Sequence, residues 1–490
     1  MPKARLLSEL GLNARKGENP LLCGLTADSR AVRPGFLFAA LPGTNRHGAE
    51  FVAEVIRAGA AAILTDPAGA RHLPADADRV ALIVVDDPRE ALARAAALWF
   101  GAQPEIMAAV TGTNGKTSVA CFTRQIWQML GHAAINIGTT GIEGDWAEPS
   151  ARTTPDPITL QRVLADAAAA GITHAAMEAS SHGLDQRRLD GVRLRSAGFT
   201  NLTQDHLDYH HDMESYFEAK AGLFTRLLPA DGWAVINLDG AMGRQMAERM
   251  EGRGLQMLLV GQSADADLRI AATRPHATGQ ELRLIWKQNP VQVHLDLIGG
   301  FQASNVAVAA GLAITCGEKA GDVFAVLSRL QGVRGRMQHV ATRRNGATVF
   351  VDYAHTPDAI ATALRALRPH VMGRLLIVFG AGGDRDRSKR PLMGRAASEN
   401  ADGVYVTDDN PRSEEPAAIR AAILAGCPDA EEIGDRAEAI LRATDALQSG
   451  DALLIAGKGH ETGQEIMGNV FPFDDSEQAS IAVAALDGMI

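Results

Sequence analysis

The segment AAVTGTNGKTS (108–118) carries the clearest chemical signal in the chain. Gly112 and Gly115 give the backbone freedom to curl its N–H groups around phosphate oxygens. Lys116 adds a point charge, and Thr117 offers a hydroxyl to Mg²⁺ where a helix begins. An apolar run precedes the turn. After it, Val119, Phe122, Ile126, Met129 and Leu130 recur on one helical face, which places the loop between a strand and a helix. The spacing departs from the common G-x-x-x-x-G-K-[ST] pattern, because Val110 stands where the first glycine would be. The chemistry expected at Gly112, Thr113, Asn114, Gly115, Lys116, Thr117 and Ser118 is binding and cleavage of ATP.

Two other glycine loops are poorer candidates for a nucleotide. GAGGDRD (380–386) follows an apolar run, but a dinucleotide fingerprint would need glycine where Arg385 stands. AGKGHE (456–461) has a GK pair without the Ser or Thr that would face a magnesium ion.

TNLTQDHLDYHHDMESYFEAKAGLF (200–224) is rich in His and carboxylates, much of which reads as a solvated face. Lys220 is the exception. It falls in helical register with Met213, Phe217 and Phe224, so an amine projects from an apolar stripe. Such a lysine either snorkels to water or is a buried amine whose charged form is disfavoured and which is available for unusual chemistry. Upstream, MEASSHGLDQRRLD (177–190) puts Glu178 at the end of an expected central strand. Glu178 and His206 are each able to ligate Mg²⁺.

The elements that must position these groups follow from pattern and composition. At 490 residues the chain is long enough for about three domains. A net charge of −10, with no basic run longer than a pair, argues against nucleic acid as partner. Cys23, Cys121, Cys316 and Cys427 are scattered, which suits reduced thiols better than disulfides or a zinc cluster. The charged N-terminus and strand-length apolar runs predict a cytoplasmic protein with no membrane span. Strands are expected at 81–87, 106–110, 174–180, 232–239, 348–354, 374–380, 403–409 and 452–457, with helices between them, as over 88–100. This alternation predicts parallel sheets and an α/β class. Punctuation near Gly101–Pro104 and at GVRGRM (332–337) divides the chain into 1–102, 103–336 and 337–490.

TGTNGKT, ARTTPD (151–156), MEASSHGLDQRR, DHLDYH, YFEAK, DYAHTPD (352–358), GGDRDRSKRP and DNPR (409–412) together resemble the Mur ligases, and among them the diaminopimelate-adding members. The likeness runs in order from TADSRAVRPG (26–35) to GKGHE. Folylpolyglutamate synthetases share the TGTNGK loop but match less well near the C-terminus. The resemblance implies an N-terminal UDP-binding α/β domain, a central P-loop-type ATPase domain with a parallel sheet, and a Rossmann-like C-terminal domain. It also implies ATP-dependent addition of meso-2,6-diaminopimelate to UDP-MurNAc-L-Ala-D-Glu through an acyl phosphate, by a monomer.

By that resemblance Ala27, Ser29, Thr44, Asn45 and Arg46 contact the nucleotide end of the UDP-sugar. Thr153, Thr154, Ser180, Gln186 and Arg188 hold its muramoyl-peptide. Asn305 and Arg336 join the ATP loop at adenine and ribose, and Asp352 and His355 lie in a shared motif. Lys220 corresponds to a lysine carbamylated by CO₂, so that Thr117, Glu178, His206 and modified Lys220 form the Mg²⁺ set, and Lys116, Lys220, His206 and Glu178 the catalytic set. Arg385, Asp409, Asn410, Pro411, Arg412, Gly457 and Glu461 correspond to the diaminopimelate site. There a guanidinium fork would grip the distal carboxylate that lysine lacks.

Overall fold

The computed structural model describes residues 4–43, 46–150, 152–203, 207–276 and 279–488. Thr44, Asn45 and His206 therefore lie outside the described residues. The chain divides into two compact units, 1–260 with 308–320, and 261–307 with 321–490.

The first unit holds one parallel sheet and most of a second, larger one. The smaller orders Gly24–Thr26, Phe36–Ala39, Ala62–Thr65 and Ala81–Val84 side by side. The following helix, Pro88–Phe100, has Asp87 accepting from the Glu90 N–H at its start and Pro88 in its first turn, both good starting chemistry. The seven strands of a larger, ten-stranded mixed sheet that fall in this unit run Gln256–Gly261, Trp233–Asn237, Ser196–Phe199, Ile106–Thr111, His174–Glu178, Ala134–Gly138, Gly141–Gly144. The pairings among these seven are parallel except the last. Its middle strands bury nearly every side chain, which is why they read in sequence as unbroken Ala, Val, Ile and Met rather than as an alternation. Chain crossovers leave Ile106–Thr111 toward both sides. The carboxyl ends of Ile106–Thr111, His174–Glu178 and Ser196–Phe199 thus open at a switch point, where α/β sheets take their ligands.

The second unit carries a six-stranded sheet ordered Gln338–Thr342, Thr348–Asp352, Ala452–Ala456, Leu375–Phe379, Gly403–Val406, Glu431–Glu432. Only the first pair is antiparallel. The last long strand in sequence inserts between the first two parallel ones. The loops DYAHTPD, GAGGDRD, DDNPR and AGKGHE therefore all emerge at one carboxyl edge.

Every strand expected from the sequence is present; the one expected at 106–110 runs one residue further, to Thr111, and the others are shortened by one to three residues at an end. The same unit also contains an antiparallel meander, Leu268–His276, Gly279–Trp286 and Asn289–Leu295, and a hairpin, Gly463–Ile466 with Asn469–Pro472. The βα pattern gave no sign of either.

Arg436 and Asp475 lock the hairpin's exit to the sheet. Both are completely buried, with Nε and Nη2 each donating to Asp475 at 2.7 Å and Nη2 also reaching the Ala456 carbonyl at 3.0 Å. Removing one partner strands the other charge in the core. We expect Asp475→Ala to lower the unfolding free energy of this unit by about 3–5 kcal/mol, read from the urea midpoint of its transition; a shift under about 1 kcal/mol would show the pair to be dispensable.

Candidate active site

The phosphate loop leaves the sheet after Thr111 and enters the helix Lys116–Met129. Its shape is set by close approach: Gly112 has φ 147°, and a Cβ there would come within 1.9 Å of the Thr200 hydroxyl. Neighbouring backbone pins the loop from outside. The Thr113 N–H donates to the Asn201 carbonyl at 2.9 Å, the Asn114 N–H to the Asn201 side chain at 2.9 Å, and the Thr200 hydroxyl to the Asn114 carbonyl at 2.6 Å. The Lys116 amine donates to the Gly112 and Thr113 carbonyls at 2.9 and 2.8 Å, folded back over the loop that it would serve.

Lys220 lies on the helix Met213–Gly222 with 1% of its surface exposed, so it does not snorkel. Its amine donates to the Gly112 carbonyl at 2.8 Å and lies 4.4 Å from the centre of the Tyr216 ring. The apolar register of Phe217 and Phe224 puts it there, and both are buried beside it in sequence. Met213 is only half-buried.

Glu178 ends its strand with 1% exposure. It accepts from the Thr117 hydroxyl at 3.1 Å and from the Thr139 N–H and hydroxyl at 2.7 and 3.3 Å. A Cβ on Gly138 would meet its Oε1 at 2.1 Å, so glycine is what lets the carboxylate sit there. No cationic side chain answers this buried charge among the described residues. A carboxylate with only hydroxyl and amide partners, next to the threonine of a phosphate loop, is a hard-oxygen environment that fits Mg²⁺.

The expected peptide-holding residues gather around the same carboxylate. Thr139 and Thr153 share a 3.0 Å hydrogen bond between hydroxyls. Thr154 donates to the Glu178 carbonyl at 2.9 Å and accepts from the Ser180 N–H and hydroxyl at 3.1 and 3.0 Å. Ser180 then caps the short helix Ser181–Asp185 by accepting from the Gly183 N–H. Arg188 donates to the Thr154 carbonyl and to Gln186, each at 2.7 Å, and burial pulls its guanidinium below its ordinary range. Gln186 passes the network to the Tyr209 hydroxyl at 3.2 Å. Thr117, Glu178, Thr153, Thr154, Ser180, Gln186 and Arg188 therefore form one connected polar set. Thr139 belongs with it, while Asn201 pins the phosphate loop; neither was singled out in the sequence.

Ala27 and Ser29 follow the strand Gly24–Thr26, and Arg46 follows Phe36–Ala39, at adjoining carboxyl ends of the small sheet; Ala27 and Arg46 are exposed. Asn305 and Arg336 belong to the second unit. Asn305 is buried and donates to Gln302 at 3.0 Å, while the Arg336 guanidinium stacks 4.7 Å from the Tyr353 ring. Asp352 accepts from the Met337 and Ala354 N–H groups, and burial raises its carboxyl above the usual range. His355 is at the following turn, its Nδ1 2.8 Å from the Tyr353 carbonyl.

The remaining loops of that edge converge on Asn410. Its Oδ1 accepts from Lys458 Nζ at 2.9 Å and from the Glu465 N–H at 3.0 Å, and its Nδ2 donates to Glu461 at 2.9 Å. Lys458 is fully buried, the residue that sequence reading passed over when AGKGHE failed as a second phosphate loop. Asp409 is buried against Gly457, where a Cβ would lie 2.5 Å from its Oδ2. Pro411 is buried, and Arg412 has φ 51°. Arg412 already donates through Nε to Glu465 at 3.1 Å and through Nη1 to the Gly383 carbonyl at 2.8 Å, so its fork is partly engaged. Arg385 is exposed and makes no hydrogen bond or ion pair among the described residues.

Fold and site together define a phosphate-loop α/β enzyme with a second cluster of polar loops at the carboxyl edge of a separate sheet. Residues 22–100 match the Mur ligase family catalytic domain, 110–313 the Mur ligase middle domain, and 335–459 the Mur ligase glutamate ligase domain. A UDP-N-acetylmuramoyl-L-alanyl-D-glutamate–2,6-diaminopimelate ligase of Bradyrhizobium diazoefficiens is 52% identical over 466 residues, 94% of this chain and 95% of its own. The protein of that description in Caulobacter vibrioides is 48% identical, covering 98% and 99%. A solved structure of a ligase with the same description superposes with TM-score 0.70 at 34% identity, covering 98% and 99%. The chain belongs to the Mur ligase family.

Glu414, which links the loop after Leu375–Phe379 to the segment after Arg412, supplies a pH test. It accepts from Arg390 at 2.8 and 3.1 Å and from the Asp384 N–H at 2.7 Å, and these bonds, Arg390 first, pull its carboxyl down to about 2. A depressed carboxyl stabilises the fold above its unfolded value of 4.5 and loses that contribution as pH falls toward 2. The stability difference between wild type and Glu414→Gln should be constant from pH 7 to 5, shrink below 4.5 and vanish near 2; a difference that grew on acidification would refute the assignment.

Proposed function

We propose that this chain is an ATP-dependent amide ligase that adds meso-2,6-diaminopimelate to UDP-MurNAc-L-Ala-D-Glu, in cytoplasmic synthesis of a peptidoglycan precursor. In this reading residues 1–102 bind the UDP end, 103–336 bind ATP and the peptide, and 337–490 bind the incoming amino acid. What carries it is the sharing of Glu178: its side chain accepts from the phosphate-loop Thr117, while its carbonyl accepts from Thr154 in the cluster assigned to the peptide. One residue thus spans the group that gives up a phosphoryl and the group that receives it. The names of the relatives support the choice of substrates.

A carboxylate does not react with an amine until one oxygen is made a leaving group. The γ-phosphoryl of ATP passes to the γ-carboxylate of D-glutamate, giving acyl phosphate and ADP. The diaminopimelate amine then attacks the acyl carbon, and phosphate departs as the amide forms. The protein's work is to align two anions and offset their repulsion. Loop N–H groups and Lys116 hold the phosphates once the amine swings off the Gly112 and Thr113 carbonyls. Lys220, once its ammonium has given one proton to solvent, adds to CO₂ through the free amine lone pair and loses a second proton as the carbamate forms, so that two protons leave and a buried cation becomes an anion. Thr117, Glu178, carbamylated Lys220 and His206 would hold Mg²⁺, which would supply neutralising charge at the phosphates. At the other edge Arg385 and Arg412 would face the distal carboxylate, Arg412 on a segment tied down by the bonds of Asn410 to Lys458 and Glu461.

The test is phosphate release with ATP and UDP-MurNAc-L-Ala-D-Glu, comparing amino acids. Meso-diaminopimelate should support turnover, and L-lysine and L-glutamate should fall at least about 100-fold in kcat/KM. Comparable rates with lysine, or a preference for glutamate, would overturn the reading. Lys220→Ala should lower kcat by about 10²–10³-fold and regain part of it in acetate; unchanged kcat would remove the carbamate from the mechanism.

A further inference from the structure

We propose that His132, His174 and Glu318 form a binding site for a divalent transition metal of the zinc class, remote from the phosphate loop. One donor atom from each lies within 4.8 Å of the other two. His132 comes just after the helix Lys116–Met129, His174 opens the strand that ends at Glu178, and Glu318 follows the helix Phe301–Thr315. His132 Nε2 is 2.9 Å from Glu318 Oε1, and the two imidazole rings lie 4.2 Å apart.

The surrounding hydrogen bonds prepare His174 as a ligand. Its Nδ1 is 2.8 Å from the Thr173 hydroxyl, which itself lies 3.3 Å from the Ala133 carbonyl. A hydroxyl that donates to that carbonyl must accept from the ring. The network therefore assigns the proton to Nδ1 and leaves the lone pair on Nε2, as in outer-shell control of metal-bound histidines. His174 is 7% exposed, whereas the His132 and Glu318 side chains retain 35% and 18% of their surface, which leaves an entry path.

Two imidazoles and one carboxylate, with a fourth position for water, are a zinc-type donor set. Bonds of about 2.0–2.2 Å place tetrahedral donors roughly 3.4 Å apart. Occupancy therefore needs a contraction of about 1.5 Å or less, within reach of side-chain rotation. The site stands at the amino end of a strand whose carboxyl end is Glu178, roughly 13 Å away at about 3.3 Å per residue. An ion here ties the exit of the phosphate-loop helix to the central sheet and takes no part in the reaction, so its effect is on stability. Trp127, on that helix, has its ring 5.1 Å from His174 and gives the site an optical reporter.

The experiment titrates Co²⁺ and Zn²⁺ into metal-stripped full-length protein held in millimolar MgCl₂ and ADP. We expect one tight equivalent, visible absorption of four-coordinate cobalt, quenching of tryptophan emission, and a rise in Tm with Zn²⁺. His132→Ala and Glu318→Gln, both at partly exposed positions, should weaken binding at least 10-fold and abolish the cobalt bands. Their phosphate release in Mg²⁺ should match wild type. Absence of a tight equivalent, or equal affinity in both variants, would overturn the proposal and leave His132 and Glu318 as an ion pair only.

Discussion

The carbonyl of Gly112 accepts from two lysine amines at once, Lys116 at 2.9 Å and Lys220 at 2.8 Å, and the rest of the site follows from that crowding. Two like charges drawn to one acceptor repel each other. The arrangement therefore favours either an arriving polyanion, which draws Lys116 away, or chemistry that removes the charge of Lys220. The same sheet edge also holds a buried carboxylate. Among the described residues the buried Glu178 carboxylate accepts only from hydroxyls and an amide N–H. In the proposed reading, a nucleotide with its magnesium ion, and a carbamate on Lys220, would offset the charges on both sides.

Topology makes such crowding possible. The phosphate loop, Glu178 and Thr200 emerge from three neighbouring strands at a switch point, so short loops are enough to bring their polar groups together. The second unit repeats the device: inserting Ala452–Ala456 beside Leu375–Phe379 brings AGKGHE next to DDNPR, and Asn410 becomes their common node. In both cases the strands are saturated with buried apolar side chains, and the polar chemistry is confined to their carboxyl ends.

The parallel strands were legible because burial on both faces leaves unbroken apolar runs. The phosphate loop was legible because its glycines and Lys-Thr pair are local. Lys220 could be placed on an apolar stripe, although only the structure shows that its amine reaches the Gly112 carbonyl rather than water. The meander over 268–295 was hidden because its strands alternate polar and apolar residues between exposed and buried faces. Lys458 was hidden because its partners, Asn410 and Glu461, are joined to it by sheet insertion and a turn rather than by any motif. The partial engagement of Arg412 by Glu465 likewise depends on a hairpin that the sequence did not announce.

The central claim is that the carboxylate is activated by direct phosphorylation before the amine attacks. The most direct measurement uses UDP-MurNAc-L-Ala-D-Glu labelled with ¹⁸O in the γ-carboxylate, with mass analysis of the products. The account predicts one ¹⁸O in the inorganic phosphate for each amide formed, with ADP as the nucleotide product. Unlabelled phosphate, or label appearing in AMP, would contradict it.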